Sequence, residues 1–336
     1  MLTDMIIPIP AIPGYIFRFA RREDLPAIHQ MMVCAAAADR TGIVDSLEDM
    51  DSQFVDPWSN PEMDFLLALT AEGQVVAMGR VFINPAPRRE RNANLWGEVH
   101  PDHRGLGLGE YILNWMEART RQRLLEYPTD LPRALRTYSL DYLSERIRLF
   151  EQHGFHQLRS WYRMRRDLNQ PIPDQHLPEG LTLCVYRPEL DRALMEAFNE
   201  SFSDHWGFEP ISYEDWQMFF IRATAFRPEL TFLAMDGEGS SAQIAGFSVN
   251  FIRAEDNQRQ GIAEGWITAL GTCRSWRKRG IASALLCETM RAFKAAGLDY
   301  ASLGVDTESQ TGALHIYERL GFTVIKRSFS FTKPVE

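Results

Sequence analysis

The chain has 336 residues, 45% of them hydrophobic and 24% charged, which is ordinary for a globular protein and long enough, at roughly 150 residues per domain, for two domains. A net charge of −9 argues against a general nucleic-acid binder, which would carry a basic balance. Four scattered cysteines, Cys34, Cys184, Cys273 and Cys287, suggest neither a disulfide framework nor a zinc site and fit a reducing cytoplasm.

The N-terminus, residues 1–17, is apolar but holds Pro8, Pro10 and Pro13 and lacks a basic leader, so it reads poorly as a signal peptide. No stretch approaches the roughly 20 apolar residues of a membrane span. A first strand is expected to end at Phe17-Arg18. A strand over 95–99 then feeds a glycine run, Arg104-Gly105-Leu106-Gly107-Leu108-Gly109. That run opens a helix over 108–124, with Trp115 and Met116 on its core face. The pair Gly154-Phe155 follows. Residues 169–180, NQPIPDQHLPEG, carry three prolines and few apolar residues, the marks of an inter-domain linker.

Beyond the linker the pattern returns. Strand 181–187 precedes helices over 190–202 and 213–223, and strands 230–235 and 244–252 flank the turn DGEGSSA. Strand 266–272 meets a second glycine run at Arg277, followed by an amphipathic helix over 282–296 that Gly297 stops. A strand over 300–305, a helix over 313–320 and closing strands over 322–331 complete it. Three landmarks recur in the same order at nearly equal spacing. Arg18 and Arg187 are 169 apart, Arg104 and Arg277 are 173 apart, and Gly154 and Gly321 are 167 apart. The chain therefore reads as a duplication, with domains over 1–168 and 181–336 joined by 169–180. Each is α+β, a mixed and mostly antiparallel sheet flanked by helices.

Arg277-Lys278-Arg279-Gly280-Ile281-Ala282 fits R-x-x-G-x-A between a strand and a helix, and the run at Arg104 fits R-x-x-G-x-G in the same context. Glycine lets the backbone approach a pyrophosphate, and unpaired helix N-terminal amides point at it with a favourable dipole. A tight turn entering a helix would also use glycine, but two copies at matching repeat positions favour the anion-binding reading. Neither run is a P-loop or a dinucleotide fingerprint. A second signature, VDTESQTGALHIYERLGF over 305–322, places Tyr317 on a helix just before Gly321-Phe322.

On these motifs the chain resembles, over nearly its whole length, the GNAT superfamily of N-acetyltransferases, arranged in tandem as in mycothiol-synthase-like proteins. The resemblance implies acetyl-CoA as co-substrate, a small-molecule amine as acceptor, direct transfer in a ternary complex and no metal. It implies that Arg277, Lys278, Arg279, Gly280, Ile281 and Ala282 hold the CoA pyrophosphate, and that Leu270, Gly271 and Thr272 offer backbone to the pantetheine. In the first copy the matching positions are Val99, Arg104, Gly105, Gly107 and Gly109. It also makes Tyr317 the acid that protonates the departing thiolate, with core packing as the plainer role. The first copy has Phe150 there, and a phenyl ring cannot donate a proton, so catalysis is expected in the second copy.

Glu264, ahead of the CoA-contacting strand, is the first choice of base, Asp306 the second, and Thr268 stands mid-strand where some relatives carry an acid. Asp204, His205 and Trp206 follow the first helix of the second copy, where the family builds its acceptor lid. Asp204 could pair with an ammonium and Trp206 could lend a cation-π face, which favours small cationic amines over a protein substrate. A CoA sensor without turnover is the competing reading. His100 with His103, and His153 with His156, lack further ligands for a metal. Cys273 reads as packing. The basic triplets Arg119, Arg121, Arg123 and Arg163, Arg165, Arg166 read as solvated faces or strand edges.

Overall fold

The structure, a computed structural model, describes residues 12–54, 60–83, 87, 89–127, 129–239, 242–309 and 312–335. Most of the proline-bearing N-terminus, residues 240–241 of the expected turn and residues 310–311 of the second signature lie outside them. The first copy runs β1 (Tyr15–Phe19), α1 (Leu25–Ala38), α2 (Leu47–Phe54), α3 (Pro61–Asp64), β2 (Phe65–Thr70), β3 (Val75–Ile83), β4 (Arg91–Val99), α4 (Leu108–Leu125), β5 (Arg133–Leu140), α5 (Ser144–Gln152) and β6 (His156–Asp167). The second runs β7 (Leu181–Val185), α6 (Asp191–Phe202), α7 (Tyr213–Trp216), β8 (Phe232–Asp236), β9 (Gln243–Phe251), α8 (Ala254–Gln260), β10 (Glu264–Thr272), α9 (Ile281–Ala295), β11 (Tyr300–Asp306), α10 (Ala313–Arg319) and β12 (Thr323–Val335).

Two units form, residues 1–159 with 328–336, and residues 160–327. In the first, β1 to β4 pair antiparallel in order and β5 joins β4 in parallel. Residues 328–335 of β12 then close the sheet antiparallel to β5. In the second, β7 to β10 pair antiparallel in order, β11 joins β10 in parallel, and residues 161–167 of β6 close the sheet antiparallel to β11. The last strand of each copy thus completes the unit built on the other copy. The duplicated segments and the units divide the chain at different places.

Strand alternation sorts the cores. On β2, Leu66 and Ala68 join the cluster around α4, while Phe65, Leu67 and Leu69 join the cluster under α1. In the second unit Phe247, Val249 and Ala269 pack under α6 and α7, and Ile267, Leu303 and Val305 pack with α9 and α10. The expected helix over 213–223 is shorter: α7 passes into a π turn, Gln217–Ile221. The closing segment is one strand, β12. The short helices α2 and α8 are unexpected: AEDNQRQ carries no apolar periodicity, while LEDMDSQF does set Leu47, Met50 and Phe54 at helical spacing but over only eight residues.

Arg121 lies on a solvated helix face as expected, but three of the other basic residues do not. Arg119 is buried against Asp64 at 2.7 Å, and Arg123 lies 3.5 Å from the same carboxylate. Arg166 is buried too, donating to the carbonyls of Leu320 (2.9 Å), Asp167 (2.6 Å) and Pro171 (2.8 Å). Its guanidinium lies so close to Gly321 that a Cβ there would meet Nε at 2.8 Å, a physical reason for glycine in that signature pair. No described helix is long and apolar enough to cross a membrane.

Candidate active site

In the second unit β10 and β11 pair from Glu264–Tyr300 as far as Ile267–Leu303 and then part, although both strands continue, to Thr272 and Asp306. A bulge at Thr268, between Ile267 and Ala269, turns β10 at that point. The result is a gap whose edge on β10 is the backbone of Thr268, Leu270, Gly271 and Thr272, with no described strand beside it.

The glycine loop stands at the open end. Gly280 has φ +86° and caps the 15-residue α9, and Lys278 also takes a left-handed conformation, φ +63°. Lys278, Arg279 and Gly280 are exposed, and a Cβ on Gly280 would meet nothing within 4 Å. Bare helix N-terminal amides with open space above them suit a pyrophosphate. The helix can start this close to the sheet because β9 has Gly246, where a Cβ would lie 2.8 Å from Ile281 Cγ2.

Arg277 serves the loop itself. It donates from Nε to the Thr272 carbonyl (3.2 Å) and from Nη2 to the Ser201 carbonyl (2.9 Å), and pairs through Nη1 with Asp204 (2.7 Å). Asp204 also receives Arg274. These arginines hold its carboxyl below the usual range. Asp204 is therefore not a free anion awaiting an ammonium, as its place after the first helix suggested. His205 packs on Phe202 at 4.6 Å between ring centroids. Burial, reinforced by Arg277 and opposed by Asp306 and Asp204, lowers its pKa, so the imidazole is neutral at neutral pH. Trp206 is 43% exposed.

Tyr317 comes from α10 and is buried in the same cluster as Ile267 and Leu303, the last paired residues before the gap. Its ring meets Phe322 at 6.0 Å, and no described residue hydrogen-bonds its hydroxyl. Burial pushes its pKa up to about 12. Glu264 lies at the closed end. Burial would raise its pKa, but Arg163 (2.5 Å), the Ser302 hydroxyl and Arg165 (2.6 Å) overcome that and hold it below the ordinary value. The structure does not bring Glu264 to the open gap, and an acid with both oxygens engaged is a poor base. Cys273 is buried against Ser201 and the Ala197 carbonyl, and burial pushes its thiol up.

The first unit repeats the frame. β4 and β5 pair from Arg91–Arg133 to Asn94–Arg136 and then part. Gly105 and Gly107 have φ +73° and +84°, matching Lys278 and Gly280, and Gly107 caps α4. Arg104 donates to the Val99 carbonyl (3.2 Å) and pairs with Asp39 (2.6 Å). Gly109 lies within the first turn of α4. Phe150 is buried against Phe155 and Phe331, at 6.0 and 5.5 Å. His103 bonds the Tyr15 hydroxyl (2.9 Å) and His153 pairs with Glu117 (3.1 Å).

Residues 189–322 match the acetyltransferase (GNAT) family, and residues 62–157 match an acetyltransferase (GNAT) domain. The chain belongs to the GNAT acetyltransferases. It is a tandem protein and an N-acetyltransferase. A mycothiol acetyltransferase of Salinispora tropica is 28% identical over 312 residues, 90% of this chain and 91% of that one. The crystal structure of a GCN5-related N-acetyltransferase from Sphaerobacter thermophilus superposes with a TM-score of 0.73 at 29% identity over 97% of both chains. A tandem GNAT protein from the clavulanic acid biosynthesis pathway shares the fold, with a TM-score of 0.69 at 16% identity over 95% of this chain and 98% of that one.

Proposed function

We propose that the second unit moves an acetyl group from acetyl-CoA directly to the amine of a small molecule. The observation that supports this reading is the buried Tyr317, which shares a core cluster with Ile267 and Leu303, the last paired residues of β10 and β11, whereas the matching position of the first copy holds Phe150. Mycothiol acetyltransferases among the relatives favour a small-molecule acceptor.

Lys278, Arg279, Gly280, Ile281 and Ala282 would hold the pyrophosphate, Arg277 bracing the loop beneath them, and Leu270, Gly271 and Thr272 the pantetheine. Acetyl-CoA supplies the acyl group and a thiolate leaving group. Tyr317, protonated up to about pH 12, is always armed to return a proton to that sulfur. The incoming amine must shed a proton. His205, held neutral by burial, and Asp306 at the end of β11 suit that task better than Glu264, whose oxygens are both engaged. The first unit keeps the loop without the acid, which fits an acyl-CoA-binding role without turnover.

Thiol release from acetyl-CoA against amino acids, amino-sugars, polyamines and peptides tests this. Acceptor-dependent release that collapses in Tyr317→Phe supports it. Undiminished turnover in that variant removes Tyr317 as the acid, and an absence of CoA binding removes the whole reading.

A further inference from the structure

The first unit keeps the glycine loop but has filled the slot beside it. The His100 amide donates to the Val76 carbonyl on β3 at 2.8 Å, so the amide one residue earlier, that of Val99, points the other way, into the gap between β4 and β5. There it donates to Oε1 of Glu98 at 3.1 Å. The same oxygen accepts from Nη2 of Arg146 at 2.6 Å and lies 3.6 Å from Arg104. Arg146 belongs to the first turn of α5, which follows β5, so its bond ties the two sides of the gap together across the mouth. Where the strands part, the Thr137 hydroxyl of β5 donates to the Leu95 carbonyl of β4 at 3.1 Å. Tyr142, between β5 and α5, donates to the Asp39 carbonyl at the end of α1 at 2.7 Å.

The second unit lacks these side chains at the matching positions. Glu98 answers to Gly271, Arg146 to Ala313 and Thr137 to Gly304, at the spacings that relate the glycine runs and the Gly-Phe pairs. Gly271 could not carry a side chain, since a Cβ there would meet Phe247 Cζ at 2.2 Å. Arg277 braces the Thr272 carbonyl as Arg104 braces that of Val99, but no described side chain accepts from the Thr272 amide. A strand edge recognises an amide-bearing arm such as pantetheine through N–H and C=O groups of this kind, as it would a further strand. The first unit has spent its amide on itself. The Glu98–Arg146 bond is charge-assisted and its side chains are only 13% and 25% exposed, so it is stronger than a surface ion pair.

On the reading that the first glycine loop binds CoA, we propose that it takes the nucleotide end alone. The loop remains open, since a Cβ on Gly105 would meet nothing within 4 Å, while Glu98 and Arg146 keep the pantetheine arm out of the gap. The ligand class of the first unit is therefore a nucleoside diphosphate, whatever arm it bears. An acyl group lies outside the slot, so this unit does not distinguish acetyl-CoA from CoA. Entry of the arm requires the Glu98–Arg146 bond to break and the Val99 amide to be freed together.

The test uses the full chain carrying Gly280→Val, which leaves the first loop intact. Calorimetry measures its binding of acetyl-CoA and of 3′-phospho-ADP, which is CoA without its arm. The two should bind within about threefold of one another. Adding Glu98→Gly should tighten acetyl-CoA about tenfold or more, and adding Arg146→Ala, which leaves Glu98 on the amide, about threefold. In both, 3′-phospho-ADP should stay within about twofold, whereas a change that merely loosened the fold would move both ligands together. In Gly107→Val, where the second loop remains, acetyl-CoA should outbind the nucleotide about tenfold or more. A preference of that size for acetyl-CoA with Glu98 and Arg146 in place overturns the proposal, as does a ratio that neither variant changes. Binding of neither ligand to any Gly280→Val protein, with acetyl-CoA still bound by Gly107→Val, removes the first loop as a CoA site and the proposal with it. Arg146→Ala keeps the test decisive should Glu98→Gly fail to fold, because Arg146 is partly exposed and Glu98 retains Arg104 as a neighbour.

Discussion

The two glycine loops have almost the same backbone, but what surrounds them differs. In each, an arginine ties the loop to the end of the preceding strand at 3.2 Å and to an aspartate beyond the first helix of its copy, at 2.6 Å in one and 2.7 Å in the other. That brace holds a turn that would otherwise splay, so it persists whether or not chemistry follows. The chemistry-bearing groups do not persist. Phe150 stands where Tyr317 would be. Where β11 has the open Gly304 as the first residue past its last pair with β10, β5 has Thr137, whose hydroxyl donates to the Leu95 carbonyl at 3.1 Å. The first unit thus keeps the loop shape without the acid.

The largest expected break in this comparison is Tyr317→Phe, which should lower kcat roughly a hundred- to a thousand-fold, the usual worth of a positioned acid. The reverse change, Phe150→Tyr, should add no second active centre, since the hydroxyl would enter an aromatic cluster. Steady-state thiol release decides both. A Tyr317→Phe enzyme within tenfold of wild type would remove the distinction between the copies.

Next in size is cofactor stoichiometry. A β-branched residue at φ near +85° carries a penalty of roughly 1–2 kcal/mol or more and puts carbon where a phosphate would sit. Titration should count two CoA molecules per chain in wild type and one in either Gly280→Val or Gly107→Val. A single site that survives Gly280→Val would show that the second loop does not bind CoA.

The braces themselves should differ. Asp39 is buried and takes two bonds from Arg104, whereas Asp204 sits at the surface. Breaking a buried pair costs about 3–5 kcal/mol, and the partial exposure of Arg104 brings the expected cost of Asp39→Asn to roughly 2 kcal/mol. Denaturant unfolding of Asp204→Asn should show a smaller loss. Equal losses would mean that burial does not govern the brace.

Much of this was legible in the sequence, because the physics behind it is local. Glycine before a helix, alternating apolar residues and a Gly-Phe pair after a helix each act within a few positions, and they marked both copies and the family. The pairing of β6 with β11 and of β12 with β5 was not legible, since neither strand carries a mark of which sheet it will close. The fates of Asp204 and Glu264 were hidden for a related reason. Arg274 and Arg277 lie about 70 residues from Asp204, and Arg163 and Arg165 about 100 residues before Glu264. A carboxylate looks free in sequence until the fold brings its partners.

The smallest expected effect concerns Lys326, whose charge is disfavoured by burial and by Arg163 and Arg165 and favoured by Glu264. Its folded pKa of about 8 lies below the ordinary 10.5. Below pH 8 the ammonium is charged in both states, and the folded state bears the full cost of holding it. Between pH 8 and 10.5 the folded protein releases a proton that the unfolded chain keeps, so this site adds stability as pH rises. Lys326→Met should therefore be more stable than wild type at pH 7, with the gap closing by pH 10.5. Paired denaturation curves at the two pH values read this directly. A gap unchanged by pH would mean that Lys326 does not titrate as a buried cation.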